Sequence, residues 1–193
     1  MTSSNYISNY NTILEPGCKV IYGPHAASGY LLSVCAEIAV RQQLRLLDFG
    51  NRCDMYFTAR QLRSLTSDPV QAMRNIRLQR AFTCYQATAL LRGLDEETDP
   101  EIPVIILDLL APFLDENIQP KEIDRLFGAS VEQIRTAMQT RTLLIGAKPV
   151  PERLKMTRLG LLKWVSREFG LIPLSESGTI ELPDPDSIQP RLF

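Results

Sequence analysis

Short, dense apolar runs alternate along this chain with stretches in which apolar residues recur every three or four positions. Lys19 to Tyr22, Leu44 to Phe49 and Thr142 to Ala147 are runs of the first kind, and Ile76 to Phe82 forms a further strand candidate. The strongest is Ile102 to Asp108, a run rich in β-branched residues. Runs without polar alternation suit parallel strands covered on both faces.

Helical spacing fills the intervals. Leu31, Leu32, Cys35, Ile38 and Ala39 predict a helix over Ser28 to Gln42. Thr58-Ala59-Arg60-Gln61 reads as a capping box opening a helix with Leu62 and Leu65 on its apolar face, and Asp68-Pro69 breaks it. Thr83 to Leu94 predicts another helix, ending near Gly93. Gln119-Pro120 opens a helix to about Phe127, and Ser130 to Gln133 restarts one. Arg153 to Phe169 is predicted helical, with Gly160 weakening it, and Gly178 to Leu182 is a candidate last strand. Strands alternating with helices give an α/β fold with a mainly parallel sheet flanked by helices.

Composition adds bounds. With 193 residues, 45% apolar and 22% charged, the chain reads as one domain with a sizeable core. The division is a polar extension over 1–16, a core over 17–182 and a proline-marked irregular tail over 183–193. The net charge of −1 gives no global attraction to nucleic acid and leaves a local basic face open. The polar start lacks the basic and apolar segments of a signal peptide, and no run approaches the roughly 20 apolar residues of a membrane span. Cys18, Cys35, Cys53 and Cys84 form no C-x-x-C pair, and the single histidine excludes a histidine-built metal site. The expected setting is a reducing one, the cytoplasm, or the nucleus in a eukaryote.

Val20 to Leu32 holds the main candidate for chemistry. A strand leads into a small-residue turn, Gly23-Pro24-His25-Ala26-Ala27-Ser28-Gly29-Tyr30, and then a helix. That is the layout of a phosphate-binding loop, G-x-x-x-x-G-K-[ST]. Counted from Gly23, Ser28 takes the second glycine's place, Gly29 the lysine's and Tyr30 the hydroxyl's; counted from Gly29, Tyr30 takes the lysine's place and Leu31 the hydroxyl's. Both frames lose the cation and the metal-binding hydroxyl. A helix N-terminus still offers N–H donors to a weak anion site, and the competing reading is a structural turn. His25 would lend charge near a phosphate, or stand solvated.

The order of these segments resembles the ATPase core of RecA-type recombinases, especially the archaeal and eukaryotic strand-exchange branch and its paralogues. The likeness is carried by the loop Gly23 to Tyr30, by Tyr56-Phe57-Thr58-Ala59-Arg60-Gln61-Leu62, by Asn75 to Gln86 with its Arg-Ala-Phe, and by Val104 to Asp108, similar to a Walker B strand. It covers roughly residues 17 to 147. Beyond Ala147, Arg167 to Ile172 offers an alternative match to the approach to the next core strand.

The resemblance implies a RecA-like P-loop NTPase core with a degenerate Walker A motif. Asp108 would be the Walker B acid, orienting Mg²⁺ through water, or else a turn residue bonded to backbone. The catalytic glutamate would stand after the second strand, where Asp48-Phe49-Gly50-Asn51 places Gly50 instead. Loss of lysine, hydroxyl and base removes charge stabilisation, metal placement and water activation together. The loops after the fourth and fifth strands face DNA in this family. Lys148, Arg153, Lys155, Arg158, Lys163 and Arg167, against Glu152 alone over 148–167, are therefore candidate phosphate contacts, or one solvated face of an amphipathic helix.

These readings give a pseudo-ATPase: a non-catalytic paralogue acting as an assembly or regulatory subunit in DNA recombination or repair, with a protein partner or its own copies. No cofactor or metal is expected, and weak ATP·Mg²⁺ binding through the loop and Asp108 stays open. So does a protein-interaction scaffold without nucleic acid. The acids of 95–101 and Asp115-Glu116 read as solvated loop residues.

Overall fold

The computed structural model describes residues 14–94, 99 and 101–174. Six parallel strands form one sheet in the order β3-β2-β4-β5-β1-β6. They are β1 (Gly17–Tyr22), β2 (Leu44–Asp48), β3 (Ile76–Arg80), β4 (Val104–Leu107), β5 (Thr142–Ala147) and β6 (Ile172–Pro173). Helices α1 (Leu31–Ala39), α2 (Met55–Leu65), α3 (Pro69–Arg74), α4 (Cys84–Arg92), α5 (Pro120–Ala137) and α6 (Lys155–Phe169) connect them. The fold is α/β with an all-parallel sheet flanked by helices, consistent with a P-loop-type, RecA-like core.

Alternate residues of each central strand enter opposite cores. Val104 and Ile106 join Leu47, Leu143 and Ile145 against α4, α5 and α6. Ile105 and Leu107 join Leu44, Leu46 and Leu144 against α1, α2 and α3. Both faces of β4 are dry, so its sequence is an unbroken apolar run. Parallel pairing aligns Gly17 with Thr142 and Leu44 with Ile76, so the strands' C-terminal ends share one edge of the sheet. In such sheets ligands bind outside that edge.

Several boundaries differ from the sequence expectation. Helix α2 starts at Met55 because Asp54 caps it, accepting from the N–H groups of Tyr56 and Phe57. Thr58 is therefore no cap; it lies buried inside the helix, its hydroxyl on Asp54 O. Asp68-Pro69 ends one helical stretch and opens α3, with Asp68 as N-cap and Pro69 in its first turn. Helix α5 runs unbroken through Gly128, against which the Trp164 ring packs, 3.1 Å from where a Cβ would stand. The strand after α6 is Ile172–Pro173, parallel to β1, and it follows the Arg167 to Ile172 stretch. The expected strand at Gly178 to Leu182, the tail and most of the N-terminal extension lie outside the described residues. Among the described residues no helix is long and apolar enough to cross a membrane.

Candidate functional site at the C-terminal edge of the sheet

The turn after β1 is shorter than a phosphate cradle requires. Helical winding starts at Ala26, as a π-turn over Ala26–Tyr30 in which Leu31 N–H reaches back to Ala26 O. Only Gly23, Pro24 and His25 remain outside regular structure. Several donors that would face a phosphate are spent internally: Gly23 N–H on Ala147 O (3.1 Å), Ala26 N–H on Gly23 O (3.2 Å) and Gly29 N–H on His25 O (3.1 Å). Pro24 has no N–H to offer. Gly23 has φ +158, and a Cβ there would lie 3.0 Å from Leu174 O, so the residue after β6 covers the turn.

Tyr30 takes one frame's lysine position and the other's hydroxyl position, and it is 8% exposed within the core beside α1. Burial, then the nearby Glu37, pushes its phenol up to about 12. The side chain is a packing group, where a P-loop needs a cation. His25 is exposed and makes no capping hydrogen bond. Ser28 and Gly29 are part of the π-turn.

Asp108 follows β4 with φ +56, in the left-handed region that aspartate tolerates better than most residues. Its carboxylate is 3% exposed and meets Arg52 Nε at 3.3 Å. Burial raises its pKa above the ordinary carboxyl value; Arg52 and the backbone N–H of Lys148 oppose that shift. A guanidinium therefore neutralises the Walker B-like acid.

Asp48, ending the neighbouring strand β2, is tied as fully. Its Oδ1 accepts from Arg52 N–H (2.7 Å), and its Oδ2 from Cys53 N–H (3.2 Å) and Arg80 Nε (3.2 Å). Gly50 lies between the two acids' loops. A Cβ on it would stand 2.9 Å from Asp108 Cβ and 3.0 Å from Asp108 Oδ2. The position where the resemblance expects a glutamate thus has no room for a side chain. These residues do not fit a Mg²⁺-nucleotide: a buried phenol takes the cation or the hydroxyl position, a guanidinium occupies the Walker B-like acid, and a packed glycine stands at the base position.

Arg52 and Arg80 were not among the sequence candidates. Arg52 lies just beyond the turn stretch Asp48-Phe49-Gly50-Asn51, and Arg80 inside one that reads as strand; pairing with acids distant in sequence needs the sheet order. Beside this network, Arg52, Asp108, Lys148, Arg153, Asp115 and the exposed ring of Phe82 line a cleft of about 480 Å³.

The six basic candidates divide. Arg158 is buried and donates to Asp115 O (2.9 Å) and Ile118 O (3.1 Å), bracing the loop before α5, so it is corrected from phosphate contact to structural clamp. Arg153 pairs with Glu116, Lys155 with Glu152 (2.5 Å) and Arg167 with Glu168 (3.2 Å). Lys148 is half-buried toward Asp108. Lys163 alone is exposed with no acid partner among the described residues. The sequence shows a basic run; the fold pairs three of its six cations with glutamates and buries a fourth.

Compared with known proteins, the chain matches no protein-family model and no curated sequence.

Proposed function

We propose that this chain is a non-catalytic RecA-like paralogue, working as an assembly or regulatory subunit in DNA recombination or repair. The observation that carries the loss of catalysis is the Arg52–Asp108 pair, with a guanidinium beside the acid that would otherwise orient Mg²⁺. The wound turn at Ala26–Tyr30 and the packed Gly50 support the same reading from independent positions. The recombination setting rests on the resemblance over residues 17 to 147. Such a subunit would work in the cytoplasm, or the nucleus of a eukaryote, with a protein partner or its own copies.

A scaffold acting without nucleic acid is the second reading. It is favoured by the pairing of Arg153, Lys155 and Arg167 with glutamates, which leaves little free positive charge after β5.

Affinity purification of the tagged full chain from its native cells tests the first reading. A RecA-type recombinase retained with it is the expected result, and a reproducible partner set without one overturns it. Calorimetric titration with ATP·Mg²⁺ tests the lost centre: no heat of binding in the micromolar range is expected, and saturable heat there returns the chain to the nucleotide-binding class.

A further inference from the structure

A group of cations without acid partners lies on another part of the molecule. Residues 52–80 contain six arginines, no lysine and two acids, Asp54 and Asp68, in a chain of net charge −1. Both acids are helix N-caps, occupied by backbone N–H groups. Arg52 and Arg80 are held by Asp108 and Asp48, and Arg77 reaches Gln43. Arg60, Arg63 and Arg74 remain, all exposed, the first two on α2 and the third on α3, which packs against it. None of the three has an ion pair among the described residues, whereas Arg125, Arg135, Arg153 and Arg167 each meet a glutamate.

Tyr56 completes the stripe. It precedes Arg60 by four residues and Arg63 by seven, so the three share one face of α2 over about 10 Å. Its ring is 92% exposed. Thr58 and Leu62 carry the burial of this helix, so Tyr56 contributes little to the core. Leu65, the other exposed apolar residue of α2, stands nine positions on, about half a turn round the helix from Tyr56.

We infer that the outer face of α2 and α3, with Tyr56, Arg60, Arg63 and Arg74, is a binding surface for single-stranded nucleic acid. Guanidinium forks match phosphate oxygens in pairs, and an isolated ring among cations offers a stacking platform to any base. A protein hot spot would bury its aromatic anchor in an apolar pocket; on the helix turn that follows this ring stand Ala59 and Arg60, with no large apolar side chain at either position. The surface goes beyond the proposed function and rests on that reading only in taking nucleic acid as the chain's working environment.

Fluorescence anisotropy with a labelled oligothymidylate and the full chain, over a series of salt concentrations, tests the inference. Three phosphate contacts at about 0.7 each give a log–log salt slope near −2. R60E/R63E/R74E is expected to weaken binding at least tenfold and flatten the slope. Y56A is expected to weaken it roughly tenfold with the slope kept, while K121E, on α5 across the sheet, leaves both unchanged. The neutral set R60Q/R63Q/R74Q gives the same direction should charge reversal impair folding. The inference is overturned by wild-type binding that the triple variants leave intact, by absence of binding at low salt, or by polyglutamate competing as strongly as the oligonucleotide, which would mark an acidic protein partner. Intact binding in the triple variants removes the face without touching the recombination reading. A partner set lacking a recombinase removes that reading without touching the face.

Discussion

Arg52 Nε donates to Asp108 Oδ2 across 3.3 Å, joining the loop after β2 to the tip of β4. Asp108 is buried on one side of this contact, and Arg52, 44% exposed, reaches it from the surface. The carboxylate is an internal acceptor for a guanidinium and for the Lys148 N–H. An amide can accept the same bonds without the cost of a buried charge.

Asp108→Asn is therefore expected to keep wild-type stability or gain slightly at neutral pH, since asparagine also tolerates the left-handed backbone. Asp108→Ala is expected to lose about 2 kcal/mol, through backbone strain and two donors left without their acceptor. Burial raises the folded-state pKa of Asp108. Wild-type stability should thus fall as pH rises from about 3.9, the unfolded carboxyl value, through that higher pKa, and Asp108→Asn should lack this step. Urea melts across acidic and neutral pH measure the difference; an asparagine variant as unstable as the alanine one contradicts the argument.

Restoring the glutamate should not restore hydrolysis. Gly50→Glu places a Cβ 2.9 Å from Asp108 Cβ and displaces Asp108 or Arg52. A loss of about 1–3 kcal/mol is expected from overpacking, with ATPase rates at background. Unchanged thermal stability would show that the loop has room the packing denies.

Tyr30 gives an alkaline signature. Its phenol is held up to about 12, against roughly 10 in the unfolded chain. The unfolded chain ionises first on raising the pH, so stability should fall between these values. Tyr30→Phe should flatten that fall while changing neutral-pH stability little. Denaturant midpoints across the alkaline range, with phenolate absorbance as the titration readout, check it; an equal decline in the variant refutes the assignment.

Gly128 is a packing residue in the middle of α5. The Trp164 ring stands 3.1 Å from its modest space and stacks edge-on with Phe127 at 5.6 Å. Gly128→Leu should cost about 1–3 kcal/mol despite leucine's better helix propensity, with altered tryptophan fluorescence. A stabilised variant would mean that α5 and α6 separate freely.

Where burial is two-sided or periodic, the sequence alone located the elements. The run ending at Leu107 and the run Thr142 to Ala147 stand as central strands because helices cover both faces, and continuous apolar character follows directly from that. Cys84–Arg92 matches its expectation because Thr83 caps it locally, accepting from Gln86 N–H. Local chemistry misled where two caps compete: Asp54 outranks Thr58, since its carboxylate serves two N–H groups.

The missing lysine, hydroxyl and glutamate were also legible, because those are identities at counted positions. What took their places was decided by tertiary structure. Arg52 and Asp108 lie 56 residues apart, and only the β2–β4 pairing brings their loops together. The basic run over 148–167 is visible in sequence, yet its neutralisation by Glu116 and Glu168 and the burial of Arg158 depend on how α6 packs. Charge is a property of residues, whereas free charge is a property of what the fold places beside them.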